Sequence, residues 1–193
     1  FERALAGIDR VAARAALRAS LGLRENVVLV VGRLVAQKGL APLLDAWRRV
    51  PDAVRADASL LFVGDGPEAA RVDDAARAAA PGEIARLAAL PPAEMPALYA
   101  AADLMVFPSL GDAWGLVVNE ALACGVPVLC STLAGCVDDL IEPGRTGWRF
   151  DPTDVPAAAV AIEGALRCGS RASMGAHARE CAKRFGPEAM AGG

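Results

Sequence analysis

Two carboxylates eight residues apart, Asp112 and Glu120, flank a segment in which Gly115 begins an apolar run. A short apolar stretch, residues 103–107, and a turn-forming stretch, residues 108–111, precede it. This order predicts a strand, a loop and then a helix. A helix start carries unpaired backbone N–H groups and a partial positive charge, which suit an anion. Carboxylates beside such a site make sense if the ligand also has hydroxyl groups that donate to them.

The spacing of these two acids matters because eight residues on one continuous helix leave them about 80° out of alignment. With Asp112 in the loop and Glu120 in the second turn, both can flank a ligand at the helix start. The alternative for Glu120 is an ordinary surface glutamate. However, its helix is predicted to be apolar nearly all round and therefore buried, so that an ionised glutamate needs a partner or a ligand. The apolar residues are Leu116, Val117, Val118, Ala121 and Leu122.

Two cations, Arg33 and Lys38, lie between Gly32 and Gly39, directly after the β-branched run at residues 26–31. Arginine grips phosphate through a planar fork, and lysine supplies a compact charge. Together they suit a diphosphate whose negative charge grows as it leaves. The alternative is a pair of solvated surface cations, which is the usual fate of these residues. The flanking glycines favour the functional interpretation.

A third glycine-rich loop reads Gly64-x-Gly66-x-x-Ala69 and resembles a dinucleotide fingerprint, because it follows a predicted strand and opens a helix. Two features weaken the match. Asp65 would place a negative charge beside a pyrophosphate, and no acid ends the next strand to bind a ribose. Two interpretations of this loop therefore stay open: it is a tight turn, or it makes backbone contacts to a nucleotide.

The composition restricts the class of protein. A length of 193 residues, 54% of them hydrophobic, fits one α/β domain with a core. The net charge of −3 predicts no nucleic-acid partner, and no apolar run approaches the roughly 20 residues of a transmembrane segment. Five scattered cysteines without C-x-x-C spacing predict reduced thiols, and the absence of acid or histidine clusters predicts no metal. The lone His177 is expected on the surface, and the start at Phe1 suggests a piece of a longer protein.

Strands alternate with helices along the chain, which predicts an α/β, Rossmann-like, doubly wound parallel sheet of about six strands. The loops after these strands share one end of such a sheet, so the glycines, cations and carboxylates are expected to meet there. Predicted strands cover residues 26–31, 59–63, 83–90, 104–107, 126–130 and 148–150. Predicted helices cover residues 10–21, 40–50, 67–80, 94–101, 115–124, 137–141, 154–166 and 171–185, the last followed by Gly186-Pro187.

In this order the motifs resemble glycosyltransferase family 4 over about residues 24–190. The residues that carry the resemblance are Val31-Gly32-Arg33-Leu34 with Lys38-Gly39, Phe62-Val63-Gly64-Asp65-Gly66-Pro67, Tyr99, Ala102-Asp103-Leu104, Pro108-Ser109, Asp112-x7-Glu120-Ala121, Gly125-x-Pro127-Val128 and Gly147. The resemblance implies the C-terminal, donor-binding domain of a GT-B enzyme, which is one half of that enzyme. On that basis residues 1–193 form this domain, with residues 1–22 as an inter-domain linker and helix, and the N-terminal acceptor domain is absent.

The resemblance also implies the chemistry. It is a retaining, metal-independent transfer of a sugar from a nucleoside-diphosphate sugar to an unknown acceptor, which could be a saccharide, a lipid or a small molecule. No cofactor is implied, because the nucleotide sugar is a substrate. The missing N-terminal domain is the expected partner, so this fragment should transfer sugar poorly or not at all alone. The expected location is the cytoplasm, with any membrane attachment made through the absent domain.

Residue roles follow from the family motifs. Arg33 and Lys38 match the pair that holds the donor diphosphate, and Glu120 matches the acid that accepts from the ribose hydroxyls. Asp112 stands where the family has a glutamate that contacts the sugar, one methylene shorter. The remaining donor-binding residues are Gly32, Gly64, Gly66, Gly115 and Leu116. Two other interpretations stay open: a non-catalytic nucleotide- or sugar-binding module on the same fold, and an NAD-dependent oxidoreductase domain based only on the Gly64 loop.

Overall fold

A computed structural model of the chain describes residues 7–185. Six strands form one parallel sheet in the order β3-β2-β1-β4-β5-β6. The strands are β1 (Asn26–Val31), β2 (Ala58–Val63), β3 (Ile84–Leu87), β4 (Leu104–Phe107), β5 (Val128–Ser131) and β6 (Gly147–Phe150). The predicted Rossmann-like, doubly wound sheet of six strands is confirmed.

Helices cover both faces of this sheet. They are α1 (Arg10–Leu21), α2 (Leu40–Arg49), α3 (Asp52–Arg55), α4 (Ala69–Ala78), α5 (Met95–Ala101), α6 (Leu116–Ala123), α7 (Val137–Leu140), α8 (Val155–Arg167) and α9 (Arg171–Lys183). Residues of α5, α6, α7 and α9 lie in the core on one face, with α1 packed against it. Residues of α2, α4 and α8 lie in the core on the other. The first helix has clear local causes at both ends, since Asp9 caps its start and Gly22 ends it at φ 64°.

Strand β1 explains why the sheet is buried on both sides. Its side chains alternate between the two cores, with Val27 and Leu29 in one and Val28 and Val30 in the other. All four are at most 4% exposed. Burying each such side chain stabilises the fold by about 1.5–3 kcal/mol, which is why an unbroken β-branched run marks a central parallel strand.

Some boundaries differ from the sequence prediction. Strand β3 covers only residues 84–87 of the predicted 83–90, and the short helix α3 was not predicted. A 3-10 turn, Ala36–Lys38, lies within the loop after β1. The last helix ends at Lys183, while the predicted Gly186-Pro187 turn lies outside the described residues.

Two further predictions concern thiols and membranes. All five cysteines are free, and four of them are buried, as expected for reduced thiols that pack as small apolar residues. Within residues 7–185, no helix has the length and hydropathy needed to cross a bilayer.

Candidate functional site

The strand order reverses between β1 and β4, which are neighbours in the sheet but distant in the chain. In open α/β sheets a ligand crevice forms outside the carboxyl ends of the strands at such a switch point. Lys38 lies in the loop that follows β1, and Asp112 lies in the loop that follows β4. The sequence-predicted residues are therefore brought to the place where a ligand is expected.

These two loops are fastened to each other. Gly39 adopts a φ of 68°, and a Cβ there would lie 2.0 Å from the Pro108 carbonyl oxygen. The Leu110 N–H donates to the Gln37 carbonyl at 2.8 Å, and Gln37 Nε2 donates to the Gly111 carbonyl at 3.0 Å. The loops after β1 and β4 consequently hold one relative position.

The closest contact between charged groups in the crevice joins Lys38 and Asp112. Lys38 Nζ donates to Asp112 Oδ2, while Asp112 Oδ1 accepts from the Trp114 backbone N–H at 3.2 Å. Lys38 Nζ also lies 5.3 Å from the centre of the Phe107 ring. The lysine and aspartate side chains are 27% and 19% exposed, so solvent screens the pair only in part. Without a ligand, the two charges neutralise each other.

Helix α6 starts at the same crevice. Gly115 precedes it with a φ of 95°, and a Cβ there would lie 2.9 Å from Phe107 Cε1, so glycine is required. No side chain caps this helix start. Its first-turn N–H groups are therefore free of side-chain competition for an anion.

The prediction that α6 is buried is correct for part of the helix and wrong for its start. Leu116 is 68% exposed at the start of the helix, and only Val118, Ala121 and Leu122 are buried. The start of α6 lies beside Phe107, the last residue of β4, because a Cβ on Gly115 would stand 2.9 Å from that ring. The apolar Leu116 side chain is thus a surface residue next to the candidate anion site.

Glu120 is half-buried and has a protein partner. The Tyr99 hydroxyl, on α5, donates to Glu120 Oε2 at 2.8 Å. Burial, and then the Glu120 charge, raise the pKa of Tyr99 far above its usual range, so the hydroxyl keeps its proton. Oε1 accepts no hydrogen bond from residues 7–185. This arrangement orients the carboxylate and leaves one oxygen for another donor.

Replacing Tyr99 with phenylalanine is expected to destabilise the fold by about 1.5–3 kcal/mol, since it removes a hydrogen bond to a charged group. The measurement is urea unfolding, compared at constant slope. Ser173→Ala, which removes an exposed hydroxyl in α9, is the matched control and should change stability by about 0.5 kcal/mol or less. Equal losses for both variants would contradict an orienting bond to Glu120.

Arg33 differs from Lys38 in its surroundings. Its side chain is exposed and makes no hydrogen bond or ion pair with the part of the chain that the structure describes. Gly32, next to it, has a φ of 142° and open space where a Cβ would stand. A small cavity of about 10 Å³ is lined by both residues and by Lys38. The guanidinium is available to a ligand.

Gly64 and Gly66 have a packing role. A Cβ on Gly64 would lie 2.0 Å from the Gly32 carbonyl oxygen, and one on Gly66 would lie 2.4 Å from that of Leu34. The Asp65 carboxylate accepts from a backbone N–H beyond β3 at 2.8 Å. This loop therefore supports the loop after β1, and the close packing of its glycines accounts for the fingerprint-like spacing without NAD.

Sequence reasoning gave no role to several residues behind the crevice. Trp114 packs against Phe185, with ring centres 5.8 Å apart, and its Nε1 donates to Asn119 at 2.7 Å. Cys136 Sγ lies 3.4 Å from the position of a Gly115 Cβ. The contacts of Trp114 with Phe185 and of Gly115 with Cys136 join residues distant in sequence, so the sequence pattern gave no sign of them. Among residues 7–185, no three His, Cys, Asp or Glu side chains are placed to hold a metal ion.

The arrangement can bind a molecule that carries both phosphate and hydroxyl groups. It offers a free guanidinium, an ammonium group, an uncapped helix start and two oriented carboxylates. Together with the strand order, this defines an α/β domain of the GT-B glycosyltransferase type.

Comparison with known proteins agrees. The family model for glycosyl transferases group 1 matches residues 14–181. The chain belongs to this family. It is 38% identical over 165 residues to D-inositol 3-phosphate glycosyltransferase of Mycobacterium sp. (strain KMS), covering 81% of this chain and 36% of that protein. It is 34% identical over 163 residues to the GDP-mannose-dependent alpha-(1-6)-phosphatidylinositol monomannoside mannosyltransferase of Mycolicibacterium smegmatis, covering 78% and 41% respectively.

Solved structures are similar to this chain as well. Sucrose-phosphate synthase from Thermosynechococcus elongatus superposes with a TM-score of 0.77 at 31% identity, covering 92% of this chain and 46% of that one. Anabaena HepE in complex with UDP and glucose superposes with a TM-score of 0.75 at 26% identity, covering 92% and 50%. The chain thus spans half or less of these relatives.

Proposed function

We propose that this chain is the donor-binding domain of a glycosyltransferase of family 4, which transfers a sugar from a nucleoside-diphosphate sugar to an acceptor. The observation that carries the proposal is the meeting of Lys38, Asp112 and the uncapped start of α6 at the β1–β4 switch point. The structural relative solved with UDP and glucose supports a nucleotide-sugar donor.

The diphosphate is assigned to Arg33, Lys38 and the first-turn N–H groups at Gly115 and Leu116. Arg33 has no other partner among the described residues, and the helix start has no side-chain cap. These groups supply positive charge to the phosphate oxygens. The electrostatic stabilisation that they provide increases as the bond to the sugar breaks, because the leaving diphosphate gains negative charge in the transition state.

The two carboxylates are assigned to the donor's hydroxyl groups. Glu120, oriented by Tyr99, accepts from the ribose through Oε1. Asp112 accepts from the sugar. Since Lys38 and Asp112 are paired without a ligand, an arriving diphosphate competes for the lysine. The displaced Asp112 carboxylate then regains oxygen lone pairs that can accept from sugar hydroxyls.

Retention of configuration and independence of metal belong to the same proposal and rest on the family motifs. Among residues 7–185, the carboxylates of the crevice are assigned to hydroxyl groups rather than to nucleophilic attack, which favours a front-face route in which donor phosphate assists the acceptor proton. The acceptor and its site are assigned to a second, N-terminal domain, with residues 1–22 as linker and helix. The chain's share of its relatives' length supports this division, and its free cysteines support a cytoplasmic location.

A second candidate is a non-catalytic nucleotide- or sugar-binding module on the same fold. The observation that favours it is the Lys38–Asp112 pair, which occupies both groups that would serve the reacting bond. Transfer or hydrolysis of donor by the complete protein separates the two candidates. A catalyst consumes donor at a rate that falls when Asp112 is replaced by asparagine, whereas a binding module leaves the donor intact.

Nucleotide titration tests the diphosphate assignment. We expect one of UDP, GDP or ADP to bind the chain, and Arg33→Ala to weaken that binding by about tenfold or more, since a hydrogen bond to a charged group is worth about 1.5–3 kcal/mol. Calorimetry gives the dissociation constants directly.

The matched control is Arg48→Ala, which removes an exposed arginine paired with Asp45 on α2. It should leave nucleotide affinity unchanged. If no nucleotide binds at millimolar concentration, or if the Arg33 and Arg48 variants bind alike, the diphosphate assignment is wrong.

A further inference from the structure

A larger cavity lies at the opposite end of the sheet from Lys38. Its volume is about 830 Å³, and it opens between α1, the start of α9 and the residues that precede β1, β4 and β5. We call it the arginine cleft, because five arginines line it: Arg10, Arg14, Arg18, Arg171 and Arg179. Two carboxylates, Glu25 and Asp103, also line it.

Both carboxylates are already paired. Arg14 Nη2 lies 2.6 Å from Asp103 Oδ1, and Arg18 Nη2 lies 2.7 Å from Glu25 Oε2. Asp103 is held further by the Val27 backbone N–H, which donates to Oδ2 at 2.9 Å. These contacts hold α1 against the sheet, and they neutralise two of the five guanidinium groups.

The other three guanidinium groups have no carboxylate partner among residues 7–185. Arg10 Nη1 donates to the Cys124 carbonyl at 2.6 Å, just beyond α6. Arg171 Nη1 donates to the Ala165 carbonyl at 2.8 Å and to the Leu166 carbonyl, in the last turn of α8, and its Nη2 donates to Asn26 Oδ1 at 2.7 Å. The Arg179 guanidinium lies over Gly125, where a Cβ would stand 2.0 Å from its Nη1.

The neutral partners do not balance these charges. The carbonyl groups that accept from Arg10 and Arg171 lie at the carboxyl ends of α6 and α8. Each helix carboxyl end is equivalent to about half a negative charge. Two helix ends therefore offset about one of the three positive charges. About two positive charges remain in the arginine cleft, although the chain as a whole carries −3.

Two of these charges are also held close together. Burial, and then the positive charge of Arg179, lower the pKa of Arg10 from its usual value. Like charges in a partly desolvated cleft repel each other, and the repulsion is relieved when an anion lies between them. Two to three guanidinium forks facing one cavity are the arrangement that binds phosphate oxygens in bidentate fashion.

We propose that the arginine cleft binds a phosphate dianion, either free or as the phosphate group of a small molecule, at a site independent of the donor crevice. The charge of a dianion matches the residual charge. The cavity, at about 830 Å³, lies within the size range of small-molecule sites, about 300–1,000 Å³. Arg10 and Arg179 grip the phosphate beyond α6, and Arg171 contacts it from the start of α9.

The test is a calorimetric titration with inorganic phosphate in the Arg33→Ala variant, which weakens any phosphate binding at the donor crevice. We expect saturable binding with a stoichiometry of one. In that background, Arg10→Gln and Arg179→Gln should each weaken binding by about tenfold or more, while Arg179→Lys, which keeps the charge but loses the planar fork, should weaken binding less than Arg179→Gln does. The matched control is Arg77→Gln, an exposed arginine paired with Asp74 on α4, and it should have no effect.

A second arm distinguishes the source of the phosphate. Sedimentation with vesicles that contain phosphatidic acid, whose headgroup is a phosphate monoester, against vesicles of phosphatidylcholine, measures whether a lipid headgroup occupies the cleft. Arg179-dependent binding to the anionic vesicles identifies a headgroup, and binding of inorganic phosphate alone identifies a soluble ligand. Absence of phosphate and vesicle binding, or equal affinity in the Arg77, Arg10 and Arg179 variants, overturns the proposal. Melting curves of each variant without ligand confirm that any loss is not unfolding.

Discussion

Replacing Lys38 with alanine is expected to slow sugar transfer by the complete enzyme about 10²–10³-fold, the typical cost of removing one group that stabilises charge in a transition state. The reason is the position of its ammonium group, which lies at the switch point and contacts Asp112. In the proposed mechanism this group leaves Asp112 and binds the leaving diphosphate instead. Initial rates at saturating donor measure the effect on kcat, and the donor dependence measures the effect on kcat/KM.

Two further variants make this result specific. Arg48→Ala, on the exposed face of α2, should leave the rate unchanged. The double variant Lys38→Ala with Asp112→Asn removes both charges. If the loss in Lys38→Ala came only from an unpaired Asp112 repelling the donor, the double variant would recover the rate, and the leaving-group role would be refuted.

Replacing Glu83 with alanine is expected to destabilise the fold by about 3–5 kcal/mol, the cost of removing one partner from a buried ion pair. The Glu83 side chain is only 8% exposed, and its Oε1 accepts from Trp47 Nε1 at 3.1 Å and from Arg55. Arg24 lies 3.7 Å from Oε2. Without the carboxylate, Arg24 loses its counter-ion and Arg55 keeps only the exposed Asp52, although both arginine side chains are less than 20% exposed.

Chemical denaturation with urea measures this loss as a shift of the midpoint at constant slope. The matched control is Glu180→Ala, because Glu180 is 77% exposed and pairs with Lys183 one turn away on α9. That variant should lose about 0.5 kcal/mol or less. A Glu83→Ala protein as stable as the control would mean that the buried pair contributes nothing to the fold.

The sequence predicted the strands best where burial on both faces leaves few alternatives. The bounds of Asn26–Val31 and Leu104–Phe107 were predicted correctly, because each is an unbroken apolar run of strand length between turn signals. At the sheet edge, β3 pairs on one side only and ends at Leu87. At such an edge, the residues beside the strand can make local contacts instead of extending the strand. The sequence pattern does not show which of the two they do.

The sequence proposed the residues of the candidate site, but it did not predict the contacts between them. Lys38 and Asp112 are 74 residues apart in sequence, so their pairing depends on the strand order. The same holds for Tyr99 and Glu120, which meet because α5 and α6 pack on the same face. The Glu83 cluster was missed for a related reason: a lone glutamate before a weak strand carries no local sign of burial.

The close approach of backbone at Gly39, Gly64 and Gly135 has a thermodynamic consequence. A Cβ at each would lie 2.0–2.1 Å from a carbonyl oxygen of a neighbouring loop, so the loops after β1, β2, β4 and β5 interlock. Fixing the backbone of one residue costs about 1–2 kcal/mol of conformational entropy. In this domain that entropy is lost during folding, before any ligand arrives. Ligand binding at the crevice should therefore show a small ordering entropy, with the loops acting as a preorganised surface.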